Sequence, residues 1–202
     1  MDPLSRAAAV GGKQVTEWVR MAQAGDRTAF HRLVDRYQAE IFRMIYYRTR
    51  SQMDAEDLTQ DVFLRAFKHI GRLDNPQLFR SWLFRIGINR VRDHHRRNRL
   101  KSLIGMVSLD DEDFRETEET AEPPEASQVV ARKDFWNRVQ HMLVSLSRLE
   151  REIFLLRFLD QLSLKEISAA MQKNENTIKT HLYRALNKVK AAAGPEESWE
   201  GI

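Results

Sequence analysis

Hydrophobic residues recur every three or four positions over most of the chain, and no segment alternates strictly between apolar and polar residues. This period predicts helices rather than strands. The clearest case is the segment 163–190, which predicts two short helices joined by a tight turn. Ser163 with Glu166 three residues later forms a capping box for the first helix, and the Asn174 side chain is suited to cap the second. The protein is therefore predicted to be all-α.

The second helix of this segment has two different faces. The apolar face carries Ile178, Leu182, Ala185, Leu186 and Val189. The opposite face carries Asn176, Lys179, Thr180, Tyr183 and Asn187, and the flank carries His181, Arg184 and Lys188. A helix-turn-helix needs this layout, because one face packs on partner helices while the other reaches base edges and phosphates. An ordinary helical hairpin with a solvated basic face has the same pattern, so this segment alone leaves both interpretations open.

The N-terminal half of the chain predicts three further helices. Residues 1–13 show no persistent pattern and are expected to be flexible. Thr16 is suited to cap a short helix at 17–24, and a second helix follows at about 29–48. Asp54 is expected to open the third, in the sequence AEDLTQDVFLRAFKHI.

The third predicted helix combines an apolar side with an acidic side. The predicted inner residues are Leu58, Val62, Phe63, Ala66, Phe67 and Ile70, and the predicted outer residues are Asp57, Gln60, Asp61, Leu64 and Lys68. An acidic face with one large apolar residue is suited to dock a partner. A solvated face with pairs such as Asp61–Arg65 explains the same pattern, and spacing alone favours this second interpretation.

A basic strip runs along the next predicted helix, which begins at the Asn75-Pro76 pair and continues to about Arg97. Apolar residues form two stripes, and between them lie Ser81, Arg85, Asn89, Arg92 and Arg96. A strip of cations with aromatic residues nearby is typical of a track for single-stranded nucleic acid. The aromatic residues are also suited to the core, but the strip has no acids spaced to offset its repulsion.

Charge is strongly segregated, although the formal net charge is only +4. Residues 80–101 hold eight Arg or Lys and a single acid, whereas residues 108–125 hold nine acids and one base. The basic block indicates a polyanionic partner. The acidic block, followed by Pro123-Pro124, predicts a flexible, solvated linker between two domains.

A second helical domain is predicted after the linker. A helix resumes near Val129, and Ser147 with Glu150 forms another capping box before the segment 163–190. The predicted organisation has five parts. They are a flexible N-terminus at 1–14, a helical domain at 15–100, an acidic linker at 101–128, a second helical domain with the helix-turn-helix at 129–192, and a flexible tail at 193–202.

Several classes of function lack the residues they need. The chain has no cysteine, which excludes disulfides, thiolate metal sites and cysteine nucleophiles. We find no nucleophile–base set, no phosphate loop and no metal-ligand cluster, since the adjacent His94 and His95 point apart on a helix. Neither a signal-peptide core nor a membrane span is evident. We therefore expect a cytoplasmic, non-enzymatic protein without cofactor or membrane insertion.

Three blocks in this order resemble the extracytoplasmic-function (ECF) sigma factors of the bacterial sigma-70 family. They are AEDLTQDVFLRAF, FRSWLFRIGINRVRDHHRR and, after the acidic linker, LEREIFLLRFLDQLSLKEISAAMQKNENTIKTHLYRALNKVK. The resemblance covers about residues 15–190. It implies binding to bacterial core RNA polymerase through its clamp helices and flap, binding to promoter DNA, and an anti-sigma partner.

The resemblance also assigns three sets of residues, and it favours the docking interpretation of the third helix. The core polymerase set is Asp57, Leu58, Gln60, Asp61 and Leu64. The −10 set is Asn75, Arg80, Arg85, Asn89, Arg92 and Arg96, with the turn at 73–77 helping to capture a flipped base. The −35 set is Glu175, Asn176, Lys179, Thr180, His181, Tyr183, Arg184 and Lys188.

Two alternative functions stay open at this point. A conventional helix-turn-helix regulator would bind duplex DNA without polymerase, so the dependence of DNA binding on core polymerase separates it from a sigma factor. An enzyme acting on nucleic acid is a weaker alternative, because the sequence offers neither clustered carboxylates nor a metal site.

Overall fold

The structure is a computed structural model that describes residues 3–103 and 143–193, with side chains described for residues 12–101 and 143–191. Seven α-helices lie in these ranges. They are α1 (Pro3–Gln23), α2 (Arg27–Thr49), α3 (Gln52–His69), α4 (Phe79–Leu103), α5 (Arg148–Phe154), α6 (Leu164–Met171) and α7 (Glu175–Ala193). Two 3₁₀ turns (Ile70–Arg72 and Pro76–Leu78) and a π-helical segment (Leu155–Leu159) complete them. No strand occurs in these ranges, so the all-α prediction is confirmed there.

The chain divides into two compact helical units, which are described separately. The first unit holds α1 to α4, and the second is built on α5, the π-helical segment and α7, with α6 between them in sequence. Across the described helices, none has the length and the apolar character that crossing a membrane requires.

The first helix is longer than predicted. α1 begins at Pro3, so the segment at 1–14 that was predicted to be flexible is helical from that residue onward. Thr16 is not a cap, because it lies inside the helix and its hydroxyl donates to the Gly12 carbonyl at 2.9 Å. The run Ala7 to Ala9 has high helix propensity, which explains why the helix extends beyond the predicted start at Glu17.

Local capping sets the bounds of α2 and α3. Asp26 caps α2, since its carboxylate accepts from the backbone N–H of Thr28 at 2.8 Å. Arg50 closes α2 in the left-handed conformation with φ 57°. The predicted cap of α3 was wrong. Ser51 caps this helix three residues earlier, and its hydroxyl accepts from the Asp54 backbone N–H at 3.2 Å.

The core of the first unit lies between α2, α3 and α4. The fully buried large side chains are Leu33, Ile41, Met44, Ile45, Phe79, Leu83 and Phe84. Each contributes about 1.5–3 kcal/mol by leaving water. Gly87 allows α4 to approach α2 closely, because a Cβ at this position would lie 2.3 Å from Cε of Met44. This packing fixes which face of α4 is left exposed.

The capping predictions in the second unit are confirmed. Ser147 and Glu150 form the capping box of α5, and Ser163 and Glu166 form that of α6. Asn174 accepts from the Asn176 backbone N–H at 2.7 Å at the start of α7. A hydrophobic cluster packs residues on either side of α5 against α7, and it consists of Leu143, Leu146, Leu155, Ala185 and Val189.

Part of the predicted organisation lies outside the described residues. α4 continues past the predicted end at Arg97 and is described to Leu103. The linker from residue 104 onward, the helix predicted near Val129 and the tail from residue 194 are not among the described residues.

Candidate polymerase and DNA interfaces

The outer face of α3 is acidic with one prominent apolar residue. Asp57 and Gln60 are exposed, and Leu64 is 59% exposed. Leu58 is only 5% exposed, so its side chain belongs to the core beneath this face and not to the exposed surface. Phe67 differs from its predicted inward position. It is 47% exposed, although its ring meets Phe30 edge-on at a centroid distance of 5.1 Å.

Asp61 is tied into the fold by ion pairs. Its carboxylate contacts the guanidinium of Arg90 on α4, and it accepts from Nε of Arg65 at 3.3 Å. Arg90 is 13% exposed at its side chain and also lies 3.5 Å from Asp93. The Asp61–Arg65 pair that the sequence suggested is therefore present. Among the described residues, Asp57 has no ion pair. Asp61 differs because its carboxylate pairs with Arg90 and so connects α3 to α4.

A groove of about 430 Å³ lies between α3 and α4, with acids on one wall and bases on the other. Its lining residues are Asp54, Asp57, Leu58, Asp61, Arg90, His94, Arg97, Asn98 and Lys101. Nε2 of His94 lies 3.6 Å from the Asp54 carboxylate. Burial lowers the pKa of His94, and the Asp54 charge opposes this shift. The groove borders the acidic face of α3 and therefore extends the surface available to a charged partner.

The residues predicted for the basic strip and the −10 set differ in exposure and in how they are held. Arg92 and Arg96 are exposed, whereas Arg85 is half-buried. Ser81 was predicted to belong to the strip and is instead buried. Nε of Arg80 donates to Glu40 of α2 at 3.0 Å, which commits this side chain to the fold. Arg96 lies 3.3 Å from Asp93, so the expectation that no acid offsets the strip was wrong at this residue.

Two cations of the strip keep their charge available. In the part of the chain that the structure describes, Arg85 and Arg92 have no ion pair, and Asn89 is exposed between them. Asn75 is exposed at the turn before α4 and accepts from the Gln77 backbone N–H at 3.0 Å. Two guanidinium groups of the strip are therefore unpaired within the described residues and available to a row of phosphates.

The polar face of α7 matches its prediction. Ile178, Ala185 and Val189 are buried on the inner face. Every residue predicted for the opposite face is exposed, namely Asn176, Lys179, Thr180, Tyr183 and Asn187. Tyr183 is 66% exposed. Glu175 begins the helix and is also exposed, which makes the first two turns of α7 accessible to a DNA groove.

The flank of α7 holds a charged pair that the sequence does not reveal. Nζ of Lys188 donates to Oε2 of Glu150 at 2.7 Å, and Glu150 is only 4% exposed. The bond from Lys188, followed by that from the Ser147 backbone N–H, lowers the pKa of Glu150 to about 2. Arg184 is exposed on the same flank. Lys188 therefore differs from the other predicted phosphate contacts in having a buried partner.

The histidines do not form a metal site among the described residues. No group of three or more potential ligands occurs there. His94 faces Asp54 of α3, whereas Nε2 of His95 lies 3.1 Å from the Arg48 carbonyl of α2. His181 belongs to α7, and its Nδ1 is buried and has no hydrogen-bond partner among the described residues.

Two family models match this chain. The model described as Sigma-70 region 2 matches residues 33–101, and the model described as Sigma-70, region 4 matches residues 136–189. The ECF RNA polymerase sigma factor BldN of Streptomyces coelicolor is 35% identical over 184 residues, which are 89% of this chain and 66% of that protein. The RNA polymerase sigma factor CnrH of Cupriavidus metallidurans is 30% identical over 171 residues, covering 84% of this chain and 89% of that protein.

A solved structure has a similar fold. The structure of CnrH in complex with the cytosolic domain of CnrY gives a TM-score of 0.67 at 24% identity, and the match covers 91% of this chain and 99% of that chain. Together with the two helical units, these matches identify the chain as a member of the ECF sigma factors of the sigma-70 family, RNA polymerase sigma factors that serve transcription initiation and are not enzymes.

Proposed function

We propose that this sigma factor uses three separate surfaces to place RNA polymerase on a promoter. The outer face of α3 binds core polymerase, the basic strip of α4 holds the melted −10 strand, and the polar face of α7 reads the −35 duplex. The observation that carries the proposal is the exposed polar face of α7, because all five of its predicted members are exposed above a buried apolar face. A helix with this division is suited to the major groove.

Core polymerase binds the outer face of α3 through its clamp helices. Asp57 and Gln60 offer polar contacts to basic residues of a partner, and Leu64 offers an apolar anchor. Leu58 supports this face from the core. Asp61 contributes both to the face and to the pair that joins α3 to α4. The flap of polymerase binds the second unit.

The non-template strand of the −10 element binds along α4. Arg85 and Arg92 neutralise phosphates, and Asn89 lies between them. Asn75 lines the turn that captures a flipped base, whose unstacking costs a few kcal/mol. Arg80 and Arg96 play a smaller part, because each already has an acidic partner in the fold.

The −35 element binds the first three turns of α7. Asn176, Lys179 and Thr180 reach base edges, since asparagine and lysine have favoured partners in adenine and guanine. Glu175 is placed to accept from a cytosine amino group. Tyr183 offers an apolar contact to a thymine methyl group, and Arg184 neutralises a phosphate.

The remaining parts of the proposal concern regulation and location. The structure with a similar fold is a complex of CnrH with the cytosolic domain of CnrY, which supports an anti-sigma partner for this chain as well. The acidic segment that follows α4, which the sequence predicts to link domains at 15–100 and 129–192, passes through the polymerase channel. The protein acts in the cytoplasm, where polymerase and promoter are found, and it needs no cofactor.

Run-off transcription tests the proposal. Purified bacterial core polymerase is incubated on a promoter library with and without the protein, and transcripts that appear only with the protein reveal the −35 and −10 sequences. Lys179→Ala is then expected to relax selectivity at one −35 position and to leave −10 selectivity unchanged. Tight binding of the protein alone to duplex DNA, with no transcript in the presence of core polymerase, would refute the proposal and favour a conventional regulator.

A further inference from the structure

We propose that Lys188 is a positioning residue, which holds the recognition helix α7 against α5 through Glu150 and makes no contact with DNA phosphate. This inference rests on the proposed function of α7 in binding the −35 element. It changes the role of one residue that the sequence assigned to DNA, and it identifies Glu150, which no sequence motif connects to DNA binding, as a second positioning residue.

The first argument is the geometry of the Glu150 carboxylate. Its Oε2 accepts from Nζ of Lys188 at 2.7 Å and from the Ser147 backbone N–H at 2.9 Å. The Ser147 hydroxyl in turn accepts from the Glu150 backbone N–H at 3.4 Å. A single carboxylate oxygen therefore completes the N-terminal cap of α5 and also binds the C-terminal half of α7.

The second argument is the direction in which Lys188 lies. Residues of an α-helix follow one another at about 100° around its axis, so Lys188 lies about 140° from Tyr183 and about 120° from Asn176. It is on the flank of the helix that faces α5. The exposed Arg184 lies on the same side but about 40° nearer to the polar face, and no described residue pairs with it.

The third argument is the free-energy cost of separating Lys188 from Glu150. Glu150 is 4% exposed, so removing Lys188 to a phosphate would leave a buried carboxylate without its cationic partner. The Lys188 side chain is itself 45% exposed, but leaving the buried Glu150 carboxylate without its cationic partner costs more than an exposed ion pair returns. The pair is therefore expected to persist when DNA binds.

The consequence is a fixed tilt of the recognition helix. Ala185 and Val189 pack in the hydrophobic cluster with Leu146, next to the start of α5. The cluster holds the two helices together without directional contacts, since apolar contacts are non-directional. The Lys188–Glu150 bond adds one directional contact at the edge of this cluster and so fixes how the polar face is presented.

The salt dependence of promoter binding tests the proposal, because each phosphate contact contributes about 0.9 to the slope of log Kobs against log[salt] on duplex DNA. Binding of the complete holoenzyme to its promoter is measured for Lys188→Met, Glu150→Gln, the double variant and Arg184→Met. We expect Arg184→Met to lower the slope by about 0.9. Lys188→Met and Glu150→Gln weaken binding at an unchanged slope, and the double variant is no weaker than either single one.

A slope lowered by about 0.9 in Lys188→Met, with Glu150→Gln binding as well as the wild type, would overturn the proposal.

Thermal unfolding of the free protein gives a second test that does not depend on DNA. Lys188→Met and Glu150→Gln should each lower the midpoint of the second unit, Lys188→Met by more because it leaves the buried carboxylate unpaired. The double variant should lower it no further than Lys188→Met, whereas Arg184→Met leaves it unchanged. Additive effects would overturn the pairing itself. If the variants show the coupling in thermal unfolding but the wild-type protein does not bind a promoter with core polymerase, the proposed function is refuted and the pairing stands.

Discussion

The two acidic residues Asp57 and Asp61 of α3 are expected to respond differently to loss of charge. Asp57→Asn should weaken binding to core polymerase and leave the fold unchanged, because this carboxylate is exposed and has no ion pair among the described residues. Asp61→Asn should weaken binding and also destabilise the first unit, because its carboxylate pairs with the largely buried Arg90.

The size of the second effect follows from the contacts. A hydrogen bond to a charged group contributes about 1.5–3 kcal/mol. Asp61 is a third exposed, and Asp93 remains 3.5 Å from Arg90 after the substitution, so the lower end of about 1.5 kcal/mol applies. The exposed Arg65 pair adds at most about 0.5 kcal/mol. At about 4–8 °C per kcal/mol for a unit of this size, the total of about 1.5–2 kcal/mol should lower Tm by about 6–16 °C.

Two measurements separate the effects. Circular dichroism of the free variants gives Tm. Titration of labelled core polymerase, at a temperature well below the lowest Tm, gives Kd. Arg90→Met is the matched variant on α4. It should reproduce the loss of Tm but retain most of the affinity for polymerase, because Arg90 is largely buried. An Asp61→Asn protein with wild-type Tm, or an Asp57→Asn protein that is equally destabilised, would contradict the assignment.

Three further outcomes are expected. The pKa of Glu150 in the folded state, about 2, lies below its ordinary value of 4.5, so its contribution to stability is complete above pH 4.5 and is lost as the pH falls towards 2. Glu150→Gln should remove this acid dependence in unfolding experiments between pH 2 and 6, and an unchanged pH profile would contradict the shift. Arg85→Ala and Arg92→Ala should each lower the salt slope of open-complex formation by about 0.7, the value for a single strand. An unchanged slope in both would exclude α4 as the track. Leu64→Ala should weaken core binding by at least about tenfold, since a buried leucine contributes about 1.5–3 kcal/mol. Its Tm should stay at the wild-type value, and an unaltered Kd would remove Leu64 from the interface.

Local chemistry was the part of the fold that the sequence predicted well. The capping boxes at Ser147 and Ser163 and the cap at Asn174 each depend on residues within three positions of one another, so the residue types alone identify them. The starts of α1 and α3 were wrong for a related reason. Thr16 and Asp54 are good caps in isolation, but earlier residues of the chain also favour a helix, and each helix had already begun.

Contacts between distant residues were beyond the sequence. Periodicity predicts which face of a helix is buried, but it does not say which charged residue of another helix lies opposite. The pairs of Asp61 with Arg90 and of Glu150 with Lys188 join residues 29 and 38 positions apart. The polymerase face and the α7 flank therefore each contained a residue whose structural partner only the fold reveals. The resemblance supplied the family, whereas the roles of individual residues remain proposals.

On α7, the residues that anchor the helix are different from those that we propose to read bases, and this difference affects how promoter preferences diverge. Residues that anchor this helix, such as Ala185 and Val189, are buried, whereas Asn176 and Lys179 are exposed and their side chains form no hydrogen bond or ion pair with the described residues. Exposed substitutions usually change stability by less than about 0.5 kcal/mol. A duplicated gene is therefore free to change the positions that we propose to read bases one at a time without unfolding the product, and the same freedom makes α7 a suitable helix for engineering sigma factors with new, mutually independent promoters.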